Sequence, residues 1–237
     1  MRVIPILTTV TITYNNAIEV ERTLASLVDV ECKPFEIIVV DGGSTDDSIN
    51  IIRSYQERLP QMKFSSNPDE GIYDALNIGK RQVTTPLVHY LNAGDVLYGN
   101  PYKDIDGPAL LPVVFIDEEG RTCGMDRIKL FGTSYNHQGI VISAGHQEFD
   151  LKFTIAADYR MLLREFPDGL YSTLFVNSGG VKYQLGGISS QKTWKANFQI
   201  IRVAFKERPF LALPIACMIA SKALFPRILR RWILKRL

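Results

Sequence analysis

The sequence predicts an α/β protein with a mostly parallel, Rossmann-like central sheet and helices on both faces. Apolar, strand-like segments alternate with segments of helical periodicity four times before residue 99. Strands separated by helices in this way are typical of a parallel sheet. Residues 35–40 form an almost continuous apolar run, which indicates a strand buried on both faces. Acids and amides follow several of these predicted strands.

The elements of the first half follow from residue type and periodicity. Residues 10–14 are rich in β-branched side chains and predict the first strand, and 17–28 repeat apolar residues with the period of a helix. Ser44 or Thr45 is expected to cap a helix over about 47–57, because hydroxyl oxygens accept hydrogen bonds from the free amides of a first helical turn. Further strands and helices are expected at 35–40, 62–65, 72–82 and 86–91.

The pattern becomes less regular after Tyr98. Residues 113–116 and the segment after 117–120 predict a hairpin, and 170–176 predict a strand. A helix is expected to open at 154–159. His89 falls within the fourth strand, so we expect it to lie in the core.

Length and composition are those of an ordinary globular protein. The chain has 237 residues, 46% of them hydrophobic and 22% charged, enough for one large domain or one domain with an appendage. Cys32, Cys123 and Cys217 show no metal-ligand or pairing pattern, so we expect a reducing, cytoplasmic setting. Residues 1–9 lack the apolar core of a signal peptide, and no uninterrupted apolar stretch reaches the length of a membrane-spanning helix.

The composition changes near the C-terminus, so we predict a main domain at 1–190 and a helical segment at 191–237. Residues 194–206 predict an amphipathic helix, and 210–225 are strongly apolar. Cations interleaved with Trp232 and aliphatic residues complete the chain, a combination that suits the interface of an anionic membrane. The alternative is a helix packed on the domain with a basic outer face.

The stretch at 86–98 changes from apolar residues to Asn92-Ala93-Gly94-Asp95 at its centre. A carboxylate at this strand end is placed to hold a ligand, because open α/β sheets bind ligands beyond the carboxyl ends of their strands. Asp95 is a hard oxygen donor, which suits Mg²⁺ or Mn²⁺ on a diphosphate. A surface turn is the alternative, since Asn, Gly and Asp are common turn residues.

Four segments, taken in their order and spacing, resemble the family 2 glycosyltransferases, which are inverting enzymes with the GT-A fold. These segments are 13–16, 36–48, 69–79 and 91–95. The resemblance extends to about Ser189 and is strongest to small bacterial transferases of capsule, O-antigen and colanic-acid type. Those proteins similarly carry Asp-Glu-Gly-Ile-Tyr-Asp-Ala, Asn-His-Gln and Ala-Asp-Tyr segments, found here at 69–75, 136–138 and 157–159.

The resemblance implies that a nucleoside-diphosphate sugar binds across the first strand ends. Asp41 would accept a hydrogen bond from the base, with Tyr14 beside the base. Asp69 and Asn92 would lie near the ribose and the diphosphate, and Asp95 would hold the divalent cation, Mg²⁺ or Mn²⁺. The other residues implied in nucleotide binding are Thr13, Asn15 and Asp74. The alternatives are a turn acid for Asp41 and a core aromatic for Tyr14.

Inverting transfer needs a base for the acceptor hydroxyl and a charge sink for the departing diphosphate. The resemblance implies Asp158 as the base, from its place in Ala-Ala-Asp-Tyr. The alternative is an acid that stabilises the start of its helix, in which case Glu148 and Asp150 are the next candidates. His137 could contact a phosphate or the metal, although a single histidine is more often structural.

The sequence departs from the family at two places. Gly94 precedes Asp95 where many members have two consecutive acids, and Asp41-Gly42-Gly43-Ser44 stands where many have Asp-Asp-Gly-Ser. The first departure leaves one carboxylate fewer for the metal. No Gln-x-x-Arg-Trp segment is present in the sequence, which argues against a processive polysaccharide synthase.

These features predict an inverting, nucleotide-sugar-dependent glycosyltransferase of bacterial surface polysaccharide synthesis. Its expected partners are a nucleoside-diphosphate sugar, a lipid-linked or oligosaccharide acceptor and, through the tail, the cytoplasmic face of the cell membrane; nucleic acid is not expected. A sugar nucleotidyltransferase is disfavoured, because no Gly-rich basic loop follows the first strand. A non-catalytic, membrane-associated sugar-nucleotide-binding protein is the other alternative, since Gly94 weakens the metal site.

Overall fold

The structure is a computed structural model that describes residues 6–31, 36–117, 119–129, 134–185 and 193–224. Its first half alternates strands and helices in the predicted order. Strands β1 to β4 are Leu7–Thr13, Glu36–Asp41, Met62–Ser66 and Leu87–Tyr90. Helices α1 to α3 are Ala17–Val28, Ser48–Ser54 and Ile72–Lys80.

The second half adds shorter strands and more helices. Strands β5 to β11 are Val96–Gly99, Ala109–Leu110, Val113–Ile116, Thr122–Met125, Ile140–Ser143, Leu174–Phe175 and Gly179–Gln184. A 3₁₀ turn spans His137–Gly139, and helices α4 to α6 are Ala157–Glu165, Thr193–Glu207 and Pro209–Leu224.

The strands form two sheets. The larger has seven strands in the order β10-β6-β9-β4-β1-β2-β3. Its half made of β4, β1, β2 and β3 is parallel, and β9 runs antiparallel to both of its neighbours. The smaller sheet has the order β5-β11-β7-β8. The mostly parallel central sheet predicted from the sequence is confirmed.

The central strands are apolar because both faces of the sheet are covered. Ile37, Ile38 and Val39 are consecutive and each is 0% exposed, as expected of a strand between two layers of helices. On α3, a Cβ atom at Gly79 would lie 2.4 Å from Cγ1 of Val10 on β1. The missing side chain therefore lets α3 lie directly against the sheet.

His89 lies in the core, as predicted, and links β4 to the 3₁₀ turn. Its Nε2 atom lies 2.6 Å from the Gln138 carbonyl oxygen, so Nε2–H donates and Nδ1 accepts from the Tyr102 hydroxyl at 2.8 Å. Burial lowers the pKa of His89 to about 4, which keeps the ring neutral. This contact fixes the turn that carries His137.

Three element predictions are wrong in detail. Helix α2 ends at Ser54, and its N-cap Asp47 makes no side-chain cap bond in the described residues. Ser44 does not cap it, because its hydroxyl oxygen accepts from the Asn15 N–H and its proton is donated to Asp41. The helix predicted to open at 154 begins at Ala157. The strand predicted at 170–176 is reduced to β10, since the Thr173 N–H donates to the Leu170 carbonyl in a turn.

The C-terminal helices extend the core. Val203 of α5 is 0% exposed within the main core, and Ala204 packs with Ala212 and Ile215 of α6 in a second small cluster. Glu207 pairs with Arg160 and Arg164 of α4. Helix α5 is thus packed on the domain.

Some predictions fall on residues that the structure does not describe. These are Cys32, the C-terminal part of the tail at 225–237 and its interleaved cations. Cys123 and Cys217 are exposed free thiols. In the described ranges, no helix combines the length and the apolar character required to span a bilayer.

Candidate active site

A cleft of about 1180 Å³ opens where β1 and β4 end. Thr13 and Tyr14 line it from the end of β1, and the segment 92–95 lines it after β4. The other walls come from the start of α3, the 3₁₀ turn and the smaller sheet. Residues from these walls include Asp69, Tyr73, Phe115, Asp126, Lys129, His137, Gln138, Asp158, Tyr183 and Gln184.

Two polar atoms at the strand ends of the cleft lack hydrogen-bond partners in the described part of the chain. They are the Thr13 Oγ1 and Asn92 Oδ1 atoms, and both are buried. Buried polar groups in folded proteins are almost always paired, because leaving one unpaired costs about 1–3 kcal/mol. A polar ligand at the strand ends would satisfy these two atoms.

Asp95 is 5% exposed and lines the same end of the cleft. Its Oδ1 accepts a long hydrogen bond of 3.3 Å from the Gln184 N–H. Burial raises the pKa of Asp95 to about 7, although Gln184, His137 and Arg22 oppose the rise. A cation beside this carboxylate would favour its charged form.

Gly94 has a φ angle of +99°, which favours glycine, and an added Cβ would lie 3.3 Å from Cγ of Glu19. An acid at position 94, as in many family members, would be strained in this backbone. Glu19 itself lines the cleft. It therefore brings a carboxylate-bearing side chain to the place where the sequence lacks its second acid.

Asp158 and His137 meet across the cleft from separate segments. Oδ2 of Asp158 lies 3.1 Å from Nδ1 of His137, and Oδ1 accepts from the Tyr73 hydroxyl at 3.0 Å. Burial alone would raise the pKa of Asp158, but the contacts with His137, Tyr73 and the Tyr159 N–H lower it below its usual value. The carboxylate is thus ionised at neutral pH and can accept a proton.

Gln138 orients the His137 ring. Its Oε1 accepts from the Asn92 N–H at 2.9 Å, so its amide group faces Nε2 of His137 at 3.2 Å. The ring then accepts at Nε2 and donates from Nδ1 to Asp158. Burial lowers the pKa of His137, but Asp158 and Asp95 raise it more; adding a proton at Nε2 would require the Gln138 amide to turn.

Of the predicted nucleotide-binding residues, Thr13, Tyr14, Asp69 and Asn92 line the cleft. Tyr14 is 62% exposed, so its alternative assignment as a core aromatic is wrong. Asp69 also accepts from the Gly71 N–H at 2.8 Å, which shapes the loop before α3.

Asn15, Asp41 and Asp74 do not line the cleft; each holds a nearby loop or helix end. Asp41 is fully buried and accepts from the Gly43 and Ser44 N–H groups and from the Ser66 hydroxyl. Asn15 accepts from the Thr45 N–H at 2.8 Å, and Asp74 from the Glu70 N–H at 3.0 Å. Their roles in nucleotide binding stay predictions.

The two reserve candidates for the base lie outside the cleft. Glu148 pairs with Arg81, and Asp150 with Arg160. Besides Asp95 and Asp158, the described carboxylates that line the cleft are those of Glu19, Asp69 and Asp126.

Sequence reasoning missed Tyr73, Gln138 and Glu19 as cleft residues. Tyr73 and Gln138 lie inside the motifs at 69–75 and 136–138 that carry the family resemblance, and this position could have indicated them as site residues. Glu19 is one of several polar residues on a surface helix, and nothing in its sequence context distinguishes it.

Family and sequence comparisons agree with the motifs. The model of glycosyl transferase family 2 matches residues 8–100. The chain is 38% identical over 103 residues to validoxylamine A glucosyltransferase of Streptomyces hygroscopicus, over 42% of this chain and 24% of that protein. It thus spans about a quarter of that relative's length. A PGL/p-HBAD biosynthesis glycosyltransferase of Mycobacterium tuberculosis is 26% identical over 202 residues, covering 75% of this chain and 77% of the relative.

Solved structures share the fold at low sequence identity. Staphylococcus aureus TarS has a TM-score of 0.66 at 17% identity, covering 94% of this chain and 44% of TarS. The mannosyltransferase PcManGT of Pyrobaculum calidifontis has a TM-score of 0.63 at 16% identity, covering 98% and 79%. With the strand order and the strand-end cleft, these likenesses confirm that the chain has the GT-A fold, and its residues 8–100 match the model of glycosyl transferase family 2.

Proposed function

We propose that the protein transfers a sugar, with inversion, from a nucleoside-diphosphate sugar to a hydroxyl group of a glycan acceptor. The observation that carries the proposal is the layout of one cleft. Polar atoms of Thr13 and Asn92 that lack partners among the described residues lie at the strand ends, and the ionised Asp158 faces the same space. Complexes of TarS with UDP-GlcNAc and of PcManGT with GDP-Man and Mn²⁺ support a nucleotide sugar as the donor.

The charge of the cleft supports a divalent cation, Mg²⁺ or Mn²⁺, as part of the donor site. Among the described residues, its lining carries the acids Glu19, Asp69, Asp95, Asp126 and Asp158, against the single lysine Lys129. A diphosphate would be repelled from such a surface without a cation.

The side chains in the cleft fit a cation that is coordinated partly by the protein and partly by the diphosphate. In the described ranges, no group of three or more His, Cys, Asp or Glu side chains converges as a metal site. Mg²⁺ in particular is usually held by one or two protein carboxylates together with substrate phosphates, so Asp95 with His137 is sufficient. The cation would stabilise negative charge on the departing diphosphate.

His137 fits two roles, and both use its contact with Asp158. A metal-ligating histidine usually donates its other ring N–H to a carboxylate, which is the bond that Nδ1 makes here. Binding a cation at Nε2 would require the Gln138 amide to move away from that atom. The bond from Nδ1 also holds the Asp158 carboxylate in place for proton transfer. Tyr73 contacts the other oxygen of Asp158, so the carboxylate that would take the acceptor's proton is fixed through both oxygens.

A screen of nucleotide sugars with Mg²⁺ or Mn²⁺ tests the proposed reaction. Nucleoside diphosphate release should occur with one donor class and increase when membrane lipid extract supplies an acceptor. Donor binding without release in any mixture would indicate the non-catalytic binding protein. Release of inorganic pyrophosphate from a nucleoside triphosphate and a sugar phosphate would indicate a nucleotidyltransferase.

The proposed acceptor is lipid-linked, in bacterial surface polysaccharide synthesis at the cytoplasmic face of the membrane. Support comes from the outer surface of α5 and α6, where large apolar side chains face solvent. The exposed fractions are 72% for Trp194, 63% for Phe198, 55% for Phe205, 94% for Phe210 and 66% for Leu213. Aromatic side chains beside cations are typical of interfacial membrane helices.

Truncation before Phe210 should move the protein from the membrane fraction to the soluble fraction. The deletion removes α6 and the cations after it, and each cation near an anionic surface contributes about 1 kcal/mol. Flotation with anionic vesicles at low salt measures the shift, and zwitterionic vesicles are the control for charge. Full-length protein that stays unbound on anionic vesicles would contradict the membrane role.

A further inference from the structure

The backbone of Ile155, near the start of the Asp158 helix, is held by two side chains. The Tyr73 hydroxyl of α3 lies 2.7 Å from the carbonyl oxygen of Ile155 and 3.0 Å from Oδ1 of Asp158, so its single proton is shared between these two acceptors. The N–H of the same residue donates to Oε1 of Gln199 on α5 at 3.0 Å. Ile155 lines the cleft. Two helices far apart in sequence thus fix one residue of the active-site wall.

Gln199 makes three hydrogen bonds to this segment. Besides Ile155, its Oε1 accepts from the Ala156 N–H at 3.2 Å, and its Nε2 donates to the Thr154 hydroxyl at 3.1 Å. Both ends of the side-chain amide are used, which fixes its orientation.

Helix α4 begins beside this contact without a cap of its own. Its N-cap residue is Ala156, which has no side chain able to cap. Free amides at a helix start require partners, and Gln199 supplies an acceptor just before the first turn. Asp158 lies in that first turn, so the position of its carboxylate depends on how the segment 154–156 is held.

We infer that Gln199 is a positioning residue for Asp158. Its side chain sets the segment 154–156 and, with Tyr73, the place of the carboxylate in the cleft. The expected effect of Gln199 on turnover rests on the proposed function. The expected effect of Gln199 on the segment 154–156 does not depend on any activity.

Gln199→Leu and Gln199→Glu separate positioning from simple packing. Leucine keeps the volume and loses the acceptor, whereas glutamate keeps an oxygen that accepts from both N–H groups. Gln199→Leu should lower kcat at least about 10-fold with an unchanged donor KM, since small misplacements of a catalytic group can cost about 10²-fold. Gln199→Glu should retain most of the activity. Gln56→Leu is the matched control, because Gln56 is exposed in a turn after α2.

A double-mutant cycle with Asp158→Asn tests whether Gln199 acts through Asp158. In the Asp158→Asn background, Gln199→Leu should cause no further loss of turnover, since residues that act together are not additive. If the losses of turnover caused by Gln199→Leu and Asp158→Asn were additive in the double variant, the inference would be overturned. A Gln199→Leu protein that melts at a lower temperature but keeps normal turnover would overturn it too.

Hydrogen exchange tests the contact without any substrate. The Ile155 and Ala156 amides should exchange about 5-fold to 10-fold faster in Gln199→Leu, the effect of losing a typical hydrogen bond, and unchanged in Gln56→Leu. Unchanged exchange in Gln199→Leu would overturn the inference even if the protein is an active transferase. Faster exchange in a protein with no transferase activity would leave the contact established and reject the proposed function alone.

Discussion

Asp158→Asn should lower turnover by about 10²-fold or more, the usual contribution of a general base. An asparagine keeps the shape of the side chain and an oxygen that accepts from Tyr73, but it cannot take a proton from the acceptor. The nucleotide contacts are expected at the strand ends, so donor affinity should be unchanged. Steady-state rates and calorimetry with the nucleoside diphosphate measure the two quantities.

Glu148→Gln is the matched control for Asp158→Asn. Glu148 lies outside the cleft and pairs with Arg81 at 3.1 Å on the surface, so its neutral variant should keep normal turnover. A role for Asp158 in stabilising its helix predicts the reverse result: a lower melting temperature with near-normal turnover per folded molecule. In that case the base would be sought among Glu19, Asp69 and Asp126, which line the cleft.

Asp95→Ala should abolish metal-dependent turnover while leaving the protein folded. Asp95 is buried at the end of the cleft where the diphosphate is proposed, and its only described side-chain hydrogen bond is the 3.3 Å contact from Gln184. Removing a buried carboxylate with so few partners should cost little stability, because burial already disfavours its charge. Mn²⁺ titration with the nucleoside diphosphate present should show the metal affinity lost, and thermal melting should show the fold retained.

Asp168→Ala, which removes an exposed acid after α4, controls for a general change in charge. It should leave metal binding and turnover unchanged. Because position 94 lacks an acid, wild-type affinity for Mn²⁺ without nucleotide should be weak. A transferase that is indifferent both to chelator and to Asp95→Ala would refute the assignment of Asp95 to the metal.

The sheet could be predicted because it depends on patterns that lie within short segments. The alternation of β-branched runs with helical periodicity at 10–14, 17–28 and 35–40 gave the strand and helix order of the first half. The same local patterns predict that strands end near Thr13 and Asn92. Since parallel strands end at one edge of a sheet, the polar residues at these two strand ends are expected to be neighbours.

The contacts within the site could be predicted only in part, because they join distant segments. His137 and Asp158 were each singled out, but their 3.1 Å contact depends on how the 3₁₀ turn packs against α4. Asp41 has the residue type of a base acceptor, and its burial among the N–H groups of Gly43 and Ser44 and the hydroxyl of Ser66 could not be predicted from the sequence. Side-chain direction at a strand end is set by local backbone turns that the sequence pattern does not encode.

The C-terminal helix was predicted as an element, but its partner was not. An amphipathic pattern at 194–206 indicates that one face is buried and does not say against what. The contacts of Glu207 with α4 and of Gln199 with 154–156 come from the tertiary fold alone.

Helix α5 has two faces with different surroundings. Trp194, Phe198 and Phe205 lie on one side and are exposed, while Gln199 and Val203 lie on the other side, against the domain. A ligand that orders α5 through its exposed side would also restrict the segment before Asp158. Thermodynamic linkage then makes the effect reciprocal: whatever factor such a ligand adds to acceptor affinity, the acceptor adds to the affinity for that ligand. Attachment at the exposed side and acceptor capture in the cleft would then share a single coupling free energy.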